Sequence, residues 1–369
     1  MASTKTEMGL LKMLPTPPKN KTGYPWDQEM SVSAYNENEE WPKISIVTPS
    51  FNQGGYIEET IRSVLLQNYP NLEYIIIDGG STDQTVEIIK KYEPWISYWV
   101  SEKDNGQTDA INKGLVKCSG EIFNWINSDD YYQKDCFKLL AENFKQEDVW
   151  VVSGFYRFFN DAGVTQDREI GPEEFDTLTE KICLSRNHQP STFFRLDKLR
   201  QLGELNEKLN YVMDQDIWIR YLLRFGDEHI KNIHQVLTNF RIHPDSKTDQ
   251  FYELFSLELY SIFFGIAKKL SLTQQAELLN QYKEGKIEEA MYDFDLSKEE
   301  GEEARKAINF QMLWNAKKLD SLNTNRELLG KFLKAVDKNS LNKKHKKLFD
   351  KLRFKYLVRP IHNILMGRN

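Results

Sequence analysis

A regular succession of apolar strands and amphipathic helices, from Lys43 to about Tyr132, most constrains the fold of this 369-residue chain. Strands that alternate with helices predict an α/β fold, in which a mostly parallel sheet is flanked by helices. Four segments each join an apolar strand to a polar turn: "KISIVTPSFNQGG", "NLEYIIIDGGSTD", "WISYWVSEKDNGQ" and "GEIFNWINSDDYY".

The regions on either side of this segment differ from it in composition. Residues 1–42 are rich in Pro, Lys, Asn and Glu and predict an extended N-terminal arm, with Tyr24 and Trp26 packed on the main domain or, alternatively, a disordered arm. Residues 43–248 form the predicted α/β domain. Residues 249–369 show only helical patterns, which predicts a helical C-terminal extension with a basic tail.

Charge and cysteine content exclude several classes of protein. The chain has three cysteines, which is too few for a disulfide framework or a zinc site and fits a reducing cytoplasm. No signal peptide and no transmembrane run occurs, so we expect a cytoplasmic protein. Residues 341–369 contain nine Lys or Arg and one Asp, so their net charge is +8. Because the whole chain has a net charge of −6, residues 1–340 carry a net charge of −14. An acidic body argues against nucleic acid as a partner.

The basic tail has two interpretations. Its apolar positions fall on one helical face, formed by Leu341, His345, Leu348, Leu352 and Tyr356. A basic amphipathic helix can lie on an anionic membrane surface, which would make the protein peripheral on the cytoplasmic membrane face. Alternatively, the helix packs on the helical region and its lysines are simply solvated.

Every strand of the first half ends in polar residues, and ligands bind outside the carboxyl ends of strands in open α/β sheets. The residues at these ends could form a nucleoside pocket beside a metal site. Asp78 can accept a hydrogen bond from a base N–H or a ribose hydroxyl, and Phe51 can offer a ring face. Asp129 can hold Mg²⁺ or Mn²⁺ against a diphosphate. The alternative for residues 127–130 is a solvated turn, which Asn, Ser and Asp favour.

Two common nucleotide-binding classes lack their motifs here. The loop after the first strand, "PSFNQGG", contains a proline and a bulky phenylalanine where the dinucleotide-binding motif G-x-G-x-x-G needs small residues. The P-loop motif is absent as well.

Three ordered segments, "ISIVTPSFNQGGYIEETIRSVLLQNYPNLEYIIIDGGSTDQT", "SEKDNGQTDAINKG" and "FNWINSDDYY", resemble the inverting family 2 glycosyltransferases of the GT-A fold. The resemblance covers residues 43–248. It implies a divalent cation (Mn²⁺ or Mg²⁺), a nucleoside-diphosphate sugar donor with UDP as the expected nucleotide, and a saccharide or lipid-linked acceptor. The expected pathway is bacterial surface-polysaccharide or glycolipid biosynthesis.

The resemblance also assigns roles to residues. Asp129, Asp130 and His243 are the expected metal ligands, with Arg241 and Lys247 near the metal or diphosphate, although a lone histidine beside a strand is often structural. Asn127 stands where the family's D-x-D motif has its first acid, so it is expected to contact the sugar nucleotide rather than the metal. The expected nucleotide-sugar contacts are Pro49, Phe51, Asn52, Asp78, Ser81, Asp83, Gln107, Asn112, Asn127 and Ser128.

The family's catalytic base lies in an E-D pair, which "VMDQDIWIR" resembles with Met213 in place of the glutamate. Asp214 is the expected base and Asp216 the second choice, while helix capping is the structural alternative for both. His188 and Gln189 are expected on the acceptor side.

Two other functions compete with sugar transfer. A sugar nucleotidyltransferase also places carboxylates and Mg²⁺ at strand ends, but it would need a basic glycine-rich loop, and "PSFNQGG" has no Lys or Arg. The second is a non-catalytic protein that only binds nucleotide sugars.

Overall fold

A computed structural model of the chain describes residues 9–160, 163–244 and 251–365. The strands are β1 (Ile44–Ser50), β2 (Leu72–Asp78), β3 (Tyr98–Ser101), β4 (Ile122–Trp125), β5 (Tyr131–Tyr132), β6 (Val151–Asn160), β7 (Gly163–Ile170), β8 (Thr192–Arg195) and β9 (Ile230–Arg241). The helices are α1 (Ile57–Leu65), α2 (Thr85–Tyr92), α3 (Gln107–Lys117), α4 (Cys136–Phe144), α5 (Leu178–Leu184), α6 (Leu196–Arg200), α7 (Met213–Phe225), α8 (Tyr252–Lys269), α9 (Thr273–Tyr282), α10 (Lys298–Leu322), α11 (Arg326–Ala335) and α12 (Lys343–Leu365).

The strands of the described residues form one sheet in the order β3-β2-β1-β4-β8-β6-β9-β5, with β7 paired to β6. β1 runs parallel to β2 and β4, and β2 parallel to β3, so the predicted α/β fold with a parallel first half is confirmed. The second half is mixed, since β8 is antiparallel to both β4 and β6 while β9 is parallel to β6. In the register, Ser50 pairs with Asp78, and Asp78 with Ser101. The polar carboxyl ends of β1, β2 and β3 therefore lie side by side.

Buried apolar side chains explain why these strands form the centre of the sheet. All seven residues of β1 are buried, as expected for a parallel strand covered on both faces. Helix α3 packs closely on it because Gly114 has no side chain: a Cβ there would lie 2.5 Å from a methyl group of Val47.

The contacts divide the chain into two compact units. The first comprises Met1–Glu173, Arg186–Ile217 and Asp227–Gln250, and the second Glu174–Ser185, Trp218–Gly226 and Phe251–Asn369. The domain boundaries that we draw after residues 42 and 248 remain a proposal.

Described residues of the N-terminal arm pack on α1 within the first unit. The buried Arg62 guanidinium donates to the carbonyl oxygens of Pro15 (3.0 Å), Pro25 (2.9 Å) and Trp26 (2.7 Å). The Tyr24 hydroxyl donates to a carbonyl of the same helix, and the Trp26 side chain is buried. The structure therefore favours the packed arm over the disordered one for residues 9–42.

In the second unit, the predicted helical pattern is confirmed by α8 to α12, and the tail packs through its predicted apolar face. Leu341, His345 and Leu352 are buried. His345 Nε2 lies 3.0 Å from Glu180 Oε1, and the Lys344 ammonium lies 2.9 Å from the same oxygen. These contacts support the packing alternative, while the membrane contact stays a prediction without a supporting observation. None of the described helices is long and apolar enough to cross a membrane.

Glu73 stabilises the amino ends of β1, β2 and β4, at the edge of the sheet opposite the polar strand ends. Its carboxylate accepts hydrogen bonds from Lys43 Nζ (2.8 Å), Ser45 Oγ (2.5 Å), Ser119 N (2.7 Å) and Ser119 Oγ (2.6 Å). Burial alone would raise the pKa of Glu73, but these hydrogen bonds outweigh it and lower the pKa to about 2.

Replacing Glu73 should therefore produce an acid-sensitive loss of stability. Because the folded-state pKa lies below the unfolded value of about 4.3, the stabilisation is present above that pH and is lost as pH falls toward 2. We expect Glu73→Gln to lower the free energy of unfolding at pH 7 by about 2–3 kcal/mol, and the difference from wild type to shrink below pH 4. Urea unfolding across this range measures it. The exposed Glu40→Gln is the control, and a pH-independent difference would contradict the assignment.

Candidate active site

A cavity of about 530 Å³ lies at the carboxyl ends of the parallel strands, within the first unit. It is lined by Pro49, Ser50, Phe51, Gln53, Gly79, Lys103, Asp104, Gly106, Gln107, Ala110, Asn127, Ser128, Asp129, Phe240, Arg241 and His243. Half of the residues in this set were predicted from the sequence as site residues or their neighbours: Pro49, Phe51, Gln107, Asn127, Ser128, Asp129, Arg241 and His243. The Phe51 ring is 58% exposed, which leaves a face available for stacking.

The acidic loop after β4 contributes a carboxylate–imidazole pair to this cavity. Asp129 Oδ2 lies 3.0 Å from His243 Nε2, although the two residues are 114 positions apart in the chain. The His243 ring packs against Tyr56, with 4.9 Å between ring centroids. Asp129 keeps 23% of its side chain exposed, so its carboxylate remains accessible to a ligand.

Arg241, the last residue of β9, holds the acidic loop in place. Its backbone N donates to Asp130 Oδ1 (2.9 Å), and its Nε donates to the Asp129 carbonyl (2.9 Å). Its Nη2 donates to Glu59 Oε2 on α1 (2.6 Å). The guanidinium is 3% exposed and stacks on the Phe159 ring at 4.3 Å. Arg241, expected near the metal or diphosphate, thus fixes the loop that carries Asp129, and its contact with a ligand stays a prediction.

Asp130 lies beneath the cavity and is 1% exposed. Burial, and secondarily the charge of Asp129, raises the pKa of this carboxyl well above its usual value. Its Oδ2 is buried and has no hydrogen-bond partner among the described residues. Two atoms of cavity-lining side chains, Ser50 Oγ and Gln53 Oε1, are also buried without a hydrogen-bond partner among the described residues.

The predicted nucleotide contact Asp78 is fully buried and does not line the cavity, whereas its neighbour Gly79 does. Its carboxylate accepts from Gly80 N (3.2 Å), Ser81 N (2.9 Å), Ser81 Oγ (2.5 Å) and Ser101 Oγ (2.6 Å). Gly80 adopts a φ of +83°, a conformation that favours glycine in this tight turn. Asp78 thus shapes the loop that borders the cavity, and its direct nucleotide contact stays a prediction.

Three other predicted contacts connect the loops after β1 and β2. Asn52 N donates to Ser81 Oγ (2.7 Å), and Asn52 Oδ1 accepts from Thr82 N (2.9 Å). Asp83 accepts from Gly54 N (2.9 Å) and from Thr85 N (3.0 Å). Burial would raise the pKa of Asp83, but its hydrogen bonds lower it.

Helix α3 supplies one cavity residue and one supporting residue. Gln107 Nε2 donates to Asn127 Oδ1 (2.7 Å) at the cavity wall. Asn112 is buried away from the cavity, where its amide bonds the backbone N and O of Leu205, both at 2.9 Å. Its expected nucleotide contact stays a prediction.

The predicted base and acceptor residues do not line this cavity. Asp214 is half-buried at the start of α7, where its carbonyl accepts from Asn187 Nδ2 (3.0 Å), whereas Asp216 is fully buried. Gln189 is buried and donates to the Trp125 carbonyl (2.5 Å). Burial, aided by the charge of Arg186, lowers the pKa of His188 to about 4. Lys247 lies outside the described residues.

Sequence reasoning assigned no individual role to Lys103, Asp104 and Phe240, which also line the cavity. The first two follow β3, so the rule that polar residues follow each strand was the available signal. Asp104 approaches the β2 turn so closely that a Cβ on Gly79 would lie 2.6 Å from its carboxylate. Phe240 carries no such signal, because it is one apolar residue in a long strand.

The residues present fit a cation that protein and substrate share. The described residues contain no group of three or more His, Cys, Asp or Glu side chains that could hold a metal by themselves. Asp129 and His243 supply an oxygen and a nitrogen ligand at the cavity wall. Mg²⁺-type sites commonly use one or two carboxylates and complete their coordination with substrate phosphates and water.

Comparison with known proteins identifies the class. The model of glycosyl transferase family 2 matches residues 45–203. An uncharacterised glycosyltransferase of Mycobacterium tuberculosis is 31% identical over 186 residues, which are 49% of this chain and 70% of the relative. TuaG of Bacillus subtilis, whose name refers to teichuronic acid biosynthesis, is 40% identical over 144 residues, 38% of this chain and 57% of the relative.

The crystal structure of S. aureus TarS residues 1–349 superimposes with a TM-score of 0.54 at 20% identity, covering 88% of this chain and 92% of that chain. This likeness confirms the predicted GT-A fold. The chain belongs to glycosyl transferase family 2, as its motifs predicted, and is a glycosyltransferase with polysaccharide-related relatives.

The stability of the fold around the acidic loop should depend on the directed hydrogen bonds of the Arg241 guanidinium. We expect Arg241→Lys to lower the free energy of unfolding by about 2–3 kcal/mol, because a lysine keeps the charge but cannot make the same directed contacts in a buried setting. Urea unfolding measures this. The control is Arg157→Lys, which alters a half-exposed pair with Glu169 (2.7 Å) and should cost less than about 1 kcal/mol. Equal effects of the two substitutions would contradict the role of Arg241.

Proposed function

We propose that this protein transfers a sugar from a nucleoside-diphosphate sugar, with UDP as the nucleotide, to an acceptor hydroxyl with inversion of configuration and with the help of a divalent cation. The observation that carries the proposal is one cavity that joins an exposed aromatic ring, Phe51, to the Asp129–His243 pair. TarS was crystallised with UDP-GlcNAc, which supports this class of donor. The name of TuaG supports an acceptor in bacterial polysaccharide or glycolipid synthesis, and the three free cysteines support a cytoplasmic location.

The cavity wall suggests how the donor is held. The Phe51 ring and Pro49 offer apolar surface to the base, while the Lys103 ammonium supplies a positive charge for the diphosphate. Gln107 and Asn127 hold each other and present amide groups to the sugar or the diphosphate. Ser50 Oγ and Gln53 Oε1, buried without partners among the described residues, would gain hydrogen bonds from a bound donor.

Asp129 and His243 are the residues proposed to hold the cation, with Asp130 behind them. A bound cation would act as a Lewis acid and neutralise the charge that develops on the departing diphosphate. Lys103 adds to this neutralisation from another part of the wall.

Asp214 is the proposed general base. Its partial exposure supports this role, because a base must reach the acceptor hydroxyl, and Asp216 is fully buried. The carboxylate takes the proton of the hydroxyl, whose oxygen bonds to the anomeric carbon as the bond to the diphosphate oxygen breaks. Attack on the face opposite the leaving group inverts the configuration without a covalent enzyme intermediate.

Asp129→Ala should weaken donor binding only when the cation is present. We expect calorimetry with UDP-GlcNAc and Mn²⁺ to show roughly 10- to 100-fold weaker binding than wild type, because the variant loses a charged ligand. With EDTA in place of Mn²⁺, the two proteins should bind equally weakly. Weaker binding by the variant in EDTA as well would mean that Asp129 contacts the donor directly.

Asp214→Asn should strongly reduce catalysis and leave nucleotide binding intact. Hydrolysis of a panel of nucleotide sugars, with water as the acceptor and Mn²⁺ present, should fall about 10²- to 10⁴-fold, while the affinity for UDP stays at the wild-type value. Asp216→Asn is the companion variant. If Asp214→Asn hydrolyses at a near-normal rate and a folded Asp216→Asn is inactive, the general base is Asp216 and not Asp214. A wild-type protein that binds but hydrolyses no member of the panel would indicate a binding protein instead.

A further inference from the structure

Three half-buried aromatic rings form a continuous surface on β6 and β9, here called the aromatic platform: Tyr156, Phe158 and Phe240. The Phe158 and Phe240 rings are 5.5 Å apart and the Tyr156 and Phe240 rings 5.8 Å apart, measured between centroids. The strand register explains the cluster, because Phe158 pairs directly with Phe240. Core rings of the same unit, such as Phe123 and Phe193, are fully buried, so the platform is more than an extension of the core.

The platform is continuous with the donor cavity. Phe240 belongs both to the platform and to the cavity wall that contains Asp129 and His243. An acceptor must lie beside the donor sugar for its hydroxyl to attack the anomeric carbon. The platform borders the cavity proposed for the donor, as an acceptor site must.

The far end of the platform carries a buried polar atom suited to a ligand. The His188 ring lies 5.5 Å from the Tyr156 ring, and the residue is 6% exposed. Its Nε2 has no hydrogen-bond partner among the described residues, while the ring bonds the backbone of Gly171 through its other nitrogen. With the His188 pKa lowered to about 4, the imidazole is neutral at pH 7 and Nε2 is an acceptor.

The same segment contacts the helix that carries the proposed base. Asn187 N donates to Gln215 Oε1 (3.0 Å), and Asn187 Nδ2 donates to the Asp214 carbonyl (3.0 Å). A chain of contacts thus runs from the donor cavity through the aromatic platform and His188 to Asp214.

We propose that the aromatic platform binds a sugar ring of a saccharide acceptor, and that His188 Nε2 accepts a hydrogen bond from one of its hydroxyls. A pyranose ring has apolar C–H faces that pack on aromatic rings, and a few polar groups beside apolar walls are typical of sites that orient small ligands. This inference rests on the proposed glycosyltransferase reaction, and it assigns the acceptor class to a defined surface.

Saturation-transfer NMR tests the platform without requiring catalysis. The probes are methyl α- and β-glycosides of glucose, galactose, mannose and N-acetylglucosamine, measured with UDP and Mn²⁺ present. We expect wild type to saturate the ring C–H protons of at least one glycoside. Phe158→Leu and Tyr156→Leu should each weaken that binding roughly tenfold. Tyr98→Leu is the matched control, because Tyr98 is a part-exposed ring on β3, at the opposite end of the strand order, and should bind as wild type does.

The outcomes separate failure of the platform from failure of the proposed reaction. The proposal that the platform binds a sugar would be overturned if both folded platform variants bind glycosides as well as wild type does. It would also be overturned if wild type binds no glycoside. Loss of UDP affinity in the variants equal to the loss of glycoside affinity would also overturn it, because the rings would then serve the donor. A wild-type protein that binds glycosides on the platform but neither binds nor hydrolyses a nucleotide sugar would support the platform and refute the donor reaction.

Discussion

The buried Arg241 guanidinium is the interaction on which the candidate site depends. It joins the end of β9 to Glu59 on α1 and to the loop that carries Asp129. A buried cation requires an opposite charge and directed hydrogen bonds to offset its desolvation, and Glu59 together with the Asp129 carbonyl supplies them. Arg241 donates to the carbonyl oxygen of Asp129, while the Asp129 carboxylate lies beside His243 and its side chain is 23% exposed.

Several residues of the sequence motifs act on the backbone rather than on the cavity. Asp78 accepts four hydrogen bonds from the turn that follows it and from Ser101, and Asn112 fixes the backbone of Leu205. Short polar side chains at strand ends compete for nearby N–H groups, which stabilises tight turns. The hydrogen bonds of Asp78 thus fix the turn whose Gly79 lines the cavity.

The sequence allowed accurate prediction where the information is local. The helix from Gln107 to Lys117 and the strands that precede it follow directly from apolar periodicity, and the polar strand ends pointed to the cavity. Pairing between distant segments leaves no local pattern, so the antiparallel β8 in the middle of the sheet was not predicted. The proximity of His243 to Asp129 came only from the family resemblance. Phe158 and Phe240 were missed because apolar residues in a strand do not reveal which of them lies at a cavity.

The distribution of buried polar atoms distinguishes the two edges of the parallel strands. At the amino ends, Glu73 accepts four hydrogen bonds, from Lys43 Nζ, Ser45 Oγ and the N and Oγ of Ser119. At the carboxyl ends, Ser50 Oγ, Gln53 Oε1 and Asp130 Oδ2 are buried without partners among the described residues, and His188 Nε2 lies beside the aromatic platform in the same condition. Each unsatisfied buried group costs about 1–3 kcal/mol, so a fold optimised for stability alone would pair them. Gln311 Oε1 and Asn315 Nδ2 of the second unit are also buried without partners among the described residues, so such atoms are not confined to the site. Those at the cavity and the platform differ in lying where we propose that a donor and an acceptor complete their hydrogen bonds.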